Sequence, residues 1–197
     1  MRKLRIIEHI SLDGVIQHTA DEGDGFPRSD WTAPYRTPVG RDAMLAAYGE
    51  RFDLLLGRRT YDIWSRFWPE APSSPMADRL NAATKFVVTH RPESLEWGPF
   101  EGLGPDLVES IRQIKSQDGR DLVLSGSSTL TSTLLEQPGL TDEVLLAVYP
   151  VLLGTGKRFF AEGTQPLTFE LLGTQAFPSG IVFSRYRVAG ALMKTPG

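Results

Sequence analysis

DLLLGRRTY, residues 53–61, is the stretch that decides the fold. Its apolar run, 54–56, stops at Gly57 and is followed by two arginines and Thr60. This order predicts a buried strand that enters a tight turn, with the N-terminus of the next helix facing outward. Backbone N–H groups and the helix dipole at such a terminus suit a bound phosphate. The rest of the chain can be placed relative to this turn.

Length and composition limit the class of protein. The 197 residues fit one domain, which we expect to span residues 1–197. A net charge of −3 disfavours a nucleic-acid partner. Cysteine is absent and the three histidines (His9, His18 and His90) are far apart in sequence, so we predict no metal site. Since no apolar run approaches the length of a membrane span, we expect a cytoplasmic protein without a membrane partner.

Strand and helix patterns alternate along most of the chain. Strands are predicted at 4–12, 53–56, 85–89 and 121–124, and helices at 40–52, 58–66, 76–83, 105–116 and after residue 128. This recurrence indicates an α/β fold with a mostly parallel sheet, in which the first strand is central. Three further strands at 142–149, 168–175 and 181–188 end in an antiparallel hairpin, which makes the sheet mixed.

Three loops are predicted where strands run into helices. In open α/β sheets, ligands bind beyond the carboxyl ends of the strands, and glycines, hydroxyls and arginines there suit a dinucleotide phosphate. The repeated arginines favour NADP over NAD, because an arginine accommodates the 2′-phosphate. The alternative is that an arginine after Gly57 only pairs with a surface carboxylate. The predicted cofactor-binding residues are Gly57, Arg58, Arg59, Thr60, Thr89, His90, Arg91, Gly126, Ser127 and Ser128.

Two carboxylates are candidates for proton transfer. Asp42 lies on the predicted helix before DLLLGRRTY, where a carboxylate beside an apolar cleft can hydrogen-bond a ring or relay a proton. Alternatively, Asp42 complements the helix dipole in the first turn. Asp13 ends the first strand, and either faces the cleft or only forms a turn with Gly14.

Four residues in two loops are candidates for substrate binding. Trp31 and Tyr35 lie in the long 15–39 loop, where they either stack on a planar ligand or tie the loop to the core. Gly154 and Lys157 lie in a glycine-containing loop that either contacts a substrate phosphate or forms a bend at a dimer surface.

The order of these motifs resembles the dihydrofolate reductase-like superfamily. The motifs ISLDG, GRRTY, PVLLGTG and FPSGIVFSRYRV are most similar to the branch that contains the riboflavin-biosynthesis reductase domain, over about residues 4–189. The resemblance implies a three-layer α/β/α fold with a central mixed sheet, NADPH as hydride donor, and a homodimer. It places the cofactor phosphates near Gly57–Thr60, the 2′-phosphate near residues 89–91, and the pyrophosphate and nicotinamide side near residues 126–128. Ser127 departs from the family pattern, since dihydrofolate reductases have a glycine pair in this loop.

The function expected from this resemblance is NADPH-dependent reduction of a C=N or C=O in a small heterocyclic or sugar-derived substrate. A 5-amino-6-(5-phosphoribosylamino)uracil reductase of riboflavin biosynthesis is the named candidate. The alternatives are a stand-alone reductase of other specificity, a dihydrofolate reductase, or a non-catalytic nucleotide-binding or regulatory module on the same fold. The sequence does not select among substrates.

Overall fold

The computed structural model describes residues 1–18 and 25–192. Its elements follow the chain in the order β1 (Leu4–Ser11), α1 (Pro38–Tyr48), β2 (Asp53–Gly57), α2 (Arg58–Phe67), α3 (Pro75–Ala82), β3 (Lys85–Val88), β4 (Phe100–Leu103), α4 (Leu107–Ser116), β5 (Leu122–Leu124), α5 (Ser128–Leu135), β6 (Glu143–Tyr149), β7 (Leu167–Ala176) and β8 (Val182–Ala191). Two short 3-10 turns lie at Ala33–Tyr35 and Pro92–Ser94. No helix within this part of the chain is long and apolar enough to cross a membrane.

The described strands form one mixed sheet in the order β4-β3-β2-β5-β1-β6-β8-β7. Pairing is parallel from β4 through β6, whereas β8 is antiparallel to both β6 and β7. The predicted mixed sheet, the central first strand and the C-terminal hairpin are therefore confirmed. Because β1, β2, β3 and β5 are parallel neighbours within one sheet, their carboxyl ends lie along one edge.

Helices cover both faces of the sheet. Successive residues of β2 point to opposite faces, so Leu54 and Leu56 pack in one core and Leu55 in the other. The first core contains buried side chains of α1, α2 and α3, and the second contains those of α4 and α5. The three-layer α/β/α arrangement is thus confirmed, with the sheet enclosed between two apolar layers.

Helix α1 corrects the predicted 40–52 helix at both ends. Thr37 caps it by accepting a 3.1 Å hydrogen bond from the Gly40 amide, and Pro38 occupies the first turn. Gly49, with φ of +87°, ends it after Tyr48. Asp42 therefore lies beyond the first turn, which contains no acidic residue.

Two further elements differ from the prediction. Helix α4 begins at Leu107 with Asp106 as its cap, accepting a 3.1 Å hydrogen bond from the Glu109 amide, so Pro105 precedes the helix. Strand β4 was not predicted. Only Leu103 of its four residues is buried, so the sequence has no apolar pattern to indicate it, and the strand depends on pairing with β3.

Candidate functional site

Three loops meet at the carboxyl ends of neighbouring parallel strands. Gly57 is the last residue of β2, Thr89 directly follows β3, and Ser125 and Gly126 follow β5. Strand β2 pairs with both β3 and β5, so its loop lies between the other two. The structure therefore brings the three predicted cofactor-binding loops together.

The β2 and β5 loops pack so closely that only glycine fits at two positions. A Cβ atom on Gly57 would lie 2.8 Å from Ser127 Oγ, and one on Gly126 would lie 2.9 Å from Thr60 Oγ1. Gly126 and Ser127 are both left-handed, with φ of +77° and +72°. Ser127 thus keeps the unusual backbone despite its side chain, which caps α5 through a 3.3 Å hydrogen bond from the Leu130 amide.

Arg58 joins the β2 loop to the segment after β3. Its Nε donates to Asp62 Oδ1 at 2.8 Å, so this arginine does pair with a carboxylate. Its Nη1 lies 2.7 Å from Ser94 Oγ, 3.1 Å from the Arg91 carbonyl oxygen and 3.3 Å from Thr89 Oγ1. Arg58 is therefore a structural tie as well as a positive charge at the site.

A pocket of about 350 Å³ opens beside this tie. One side of it combines the Arg58 and Arg91 cations with the Thr89 hydroxyl, and the other side is apolar. His90 and Arg91 are exposed at its margin, whereas Thr89 is buried. The combination suits a ligand with both a planar apolar part and an anionic group. The lining residues are Arg58, Val88, Thr89, His90, Arg91, Leu103, Gly104, Pro105 and Leu107.

Asp13 holds a loop in place. Its carboxylate accepts hydrogen bonds from Ser11 Oγ at 2.6 Å, the Leu153 amide at 3.1 Å and the Gly154 amide at 2.8 Å. These hydrogen bonds lower the pKa of Asp13 to about 2, and the bond from Ser11 has the largest effect. A carboxylate with this pKa is ionised at neutral pH, which makes Asp13 a poor proton donor. Asp13 does form the predicted turn, in which the Gly14 amide donates to the Ser11 carbonyl oxygen.

Asp42 is exposed on α1 and lies beyond the helix's first turn, so the helix-dipole alternative does not apply to it. Its participation in catalysis stays a prediction.

The predicted substrate-binding residues fall into two groups. Trp31 is buried and donates from Nε1 to the Gln17 carbonyl oxygen at 2.7 Å, and the half-buried Tyr35 packs edge-on against Tyr149. Gly154 contacts Asp13 as described above. Lys157 is exposed, and its amide donates to Gln17 Oε1 at 3.1 Å. Both groups lie around the ends of β1 and β6, separate from the 350 Å³ pocket.

Sequence analysis missed three polar residues on strands β1 and β6. Glu8 is buried and accepts a hydrogen bond from the Gly126 amide, and burial raises its pKa to about 8. His9 Nδ1 lies 2.8 Å from the hydroxyl of Tyr149. Polar residues inside an otherwise apolar strand, as in IIEHIS, were the available signal. Their partners lie more than 100 residues away, so local patterns could not identify them.

The chain is similar to two curated bacterial proteins. The chain is 24% identical over 180 residues to an uncharacterised Bacillus subtilis protein, YwjB, covering 91% of this chain and 95% of the relative. It is 26% identical over 133 residues to a second one, YyaP, covering 66% and 70% respectively.

Solved structures share the fold. A putative riboflavin biosynthesis protein from Shewanella superposes with a TM-score of 0.70 at 22% identity, over 94% of this chain and 98% of that one. A Thermotoga maritima deaminase/5-amino-6-(5-phosphoribosylamino)uracil reductase gives 0.67 at 17% identity, over 95% and 57%. An Enterococcus faecalis dihydrofolate reductase complexed with NADP(H) gives 0.61 at 17% identity, over 95% and 96%.

A family model decides the assignment. The model described as the RibD C-terminal domain matches residues 2–183, nearly the whole chain. The dihydrofolate reductase-like architecture expected from the sequence is the one observed. The chain therefore belongs to the RibD C-terminal domain family.

Proposed function

We propose that this chain is an NADPH-dependent reductase that transfers hydride to a C=N or C=O of a small heterocyclic or sugar-derived substrate. The observation that carries the proposal is the meeting of the β2, β3 and β5 loops beside a pocket with two arginines and a hydroxyl. Family membership supports a reductase related to riboflavin biosynthesis, the activity for which the Thermotoga relative is named.

The site residues fit a nicotinamide dinucleotide with a 2′-phosphate. Glycine at positions 57 and 126 lets the β2 and β5 loops pack against each other, which brings the N-termini of α2 and α5 to one place, where backbone N–H groups suit a phosphate. Arg91, Thr89 and His90 line the pocket, where a charged and hydroxylated wall would hold the extra phosphate. The cofactor supplies the hydride, and the protein supplies binding, orientation and exclusion of water.

Cofactor binding tests the proposal directly. We expect nicotinamide fluorescence to show NADPH binding at least tenfold tighter than NADH binding, because a charged hydrogen bond contributes about 1.5–3 kcal/mol. Arg91→Ala removes that preference and leaves NADH affinity unchanged. Arg187 is an exposed arginine on strand β8, away from the pocket, so Arg187→Ala is the matched control and should keep the preference for NADPH. Failure of the wild type to bind either nucleotide would overturn the proposal.

Turnover and assembly need separate measurements. Oxidation of NADPH in the presence of 5-amino-6-(5-phosphoribosylamino)uracil tests the named substrate, and a panel of carbonyl and imine compounds tests the wider class. Binding without turnover of any compound would favour a non-catalytic nucleotide-binding module. We also propose a homodimer, which a monomeric mass in solution would contradict.

A further inference from the structure

The order of strands in the sheet indicates how an extended cofactor would lie across the proposed site. The three cofactor loops follow β3, β2 and β5, and the next strands along the same edge are β1 and β6. All five strands are parallel, so the carboxyl ends of β1 and β6 continue the line of the three loops. The 2′-phosphate pocket lies at the β3 end of this line. The reacting end of an extended dinucleotide would therefore lie toward β1 and β6.

Two side chains from β1 and β6 meet at that place. His9 Nδ1 and the hydroxyl oxygen of Tyr149 lie 2.8 Å apart, at hydrogen-bond distance. The Tyr149 side chain is almost fully enclosed, whereas His9 keeps partial exposure. The rings of Trp31 and Tyr35 pack edge-on against Tyr149, with centroids 5.2 and 5.7 Å away. This enclosure limits the contact of bulk water with the phenol.

We propose that Tyr149 is the acid that protonates the reduced substrate, and that His9 positions it by donating from Nδ1–H to the Tyr149 hydroxyl oxygen. With the oxygen accepting from His9, the phenol O–H is left to point at a substrate. The inference rests on the proposed reductase function. It assigns the proton-donor role that the exposed Asp42 and the ionised Asp13 fill poorly.

The proton and electron balance of this step is simple. Bound NADPH would supply the hydride to the carbon of the C=O or C=N, and the π electron pair would move to the oxygen or nitrogen. The Tyr149 O–H bond then breaks, and its proton bonds to that heteroatom. The phenolate that remains accepts the hydrogen bond from His9 and afterwards takes a proton from water.

The charge states of the pair support this role. Burial raises the pKa of Tyr149 to about 12, against the opposing effect of the Arg36 cation, so the phenol holds its proton at pH 7. Burial, together with the His18 and Arg36 charges, lowers the pKa of His9 to about 3. His9 is therefore a neutral imidazole with one N–H, and its tautomer decides which partner donates.

The tautomer of His9 is the first test, and it needs no substrate. With ¹⁵N-labelled histidine, two-bond ¹⁵N–¹H couplings distinguish Nδ1–H from Nε2–H. The chain has only three histidines, so His9 is assigned by comparison with a His9→Asn variant. We expect Nδ1–H at pH 7. An Nε2–H tautomer would overturn the proposal, because Tyr149 would then donate its proton to His9.

Variant kinetics are the second test. We expect Tyr149→Phe to keep NADPH affinity within twofold and to lose at least 100-fold in single-turnover hydride transfer, since general acids contribute about 10²–10⁴-fold. His9→Asn keeps an N–H donor and should keep most of the rate of hydride transfer. His9→Leu has no donor and should lose that rate. Tyr186→Phe, on β8 and against Phe169, is the matched control and stays at the wild-type rate.

The outcomes separate the two proposals. If the wild type binds no NADPH, the reductase proposal fails. If the wild type binds and oxidises NADPH while Tyr149→Phe reacts at the same rate, the role of Tyr149 fails and the reductase proposal stands.

Discussion

Glu8 offers the sharpest test of the electrostatics in this fold. Its side chain is buried at the centre of the sheet, and it accepts a hydrogen bond from the Gly126 amide. Burial raises the pKa of Glu8 from 4.5 to about 8, an effect that the Gly126 hydrogen bond opposes only in part. We therefore predict that Glu8→Gln stabilises the protein at neutral pH, because glutamine keeps an acceptor for Gly126 and carries no ionisable group.

The size of this effect follows from proton linkage. Between pH 4.5 and about 8 the folded protein keeps the Glu8 proton and the unfolded chain releases it. The free energy of unfolding therefore falls by about 1.36 kcal/mol per pH unit in this window. The contribution of Glu8 is fully present below pH 4.5 and is lost as the pH rises to about 8. Removing the group should stabilise the protein by about 1 kcal/mol at pH 5 and about 3 kcal/mol at pH 7.

Urea denaturation of both proteins at the two pH values measures this difference. Other titrating groups contribute equally to wild type and variant, so they cancel. Glu170→Gln makes the same chemical change at a carboxylate that is exposed in its pair with Arg187, and should shift stability by less than about 0.5 kcal/mol at either pH. An advantage of Glu8→Gln that is equal at pH 5 and pH 7 would refute the reasoning.

Three further predictions concern stability, each measured by urea denaturation. Asp53→Asn should cost about 3 kcal/mol, because it leaves the buried Arg2 cation without its carboxylate; a loss below about 1 kcal/mol would contradict this. Ser127→Gly should stabilise the protein by about 0.5–1 kcal/mol, because glycine adopts a φ of +72° without strain and this gain exceeds the loss of the α5 cap. Ser127→Ala should destabilise it, because alanine loses the cap and keeps the strain. Equal changes in stability for the two variants would contradict this. In the Glu8→Gln background, lowering the pH from 7 to 5 should cost about 2 kcal/mol for each of His9 and His18. The folded pKa values of His9 and His18, about 3 and about 4, lie below 6.5. Their contribution to the free energy of unfolding is therefore present above pH 6.5 and is lost as the pH falls. His18→Phe should remove about half of the loss.

The sequence predicted what local patterns can determine. Apolar runs that stop at Gly57, Thr89 and Ser125 identified three parallel strands and their loops, because burial on both faces leaves a continuous apolar signal. Helix α1 was misplaced because the buried Tyr48 and Phe52 are four residues apart, a spacing typical of one helical face, whereas Gly49 ends the helix between them. Strand β4 was missed because its pairing, and not its composition, makes it a strand.

The inner part of the site depends on contacts between distant segments. The hydrogen bond from Gly126 to Glu8 and the contact of His9 with Tyr149 join residues that no sequence window contains together. A lone histidine or glutamate in an apolar strand indicates a buried polar side chain that needs a hydrogen-bond partner. Its partner follows only from the order of strands, in which β1 lies between β5 and β6.

The bonds from Arg58 to the segment after β3 have a consequence for binding energetics. The Arg58 side chain joins the β2 loop to the segment after β3 and is itself held by Asp62, so these two segments keep their spacing without a ligand. A nucleotide entering this pocket would pay little conformational entropy to order the loops, and most of its contact energy would appear as affinity. Replacing Asp62 would then lower the affinity for the nucleotide, mainly because ordering the loops would cost more entropy, although Asp62 does not line the pocket.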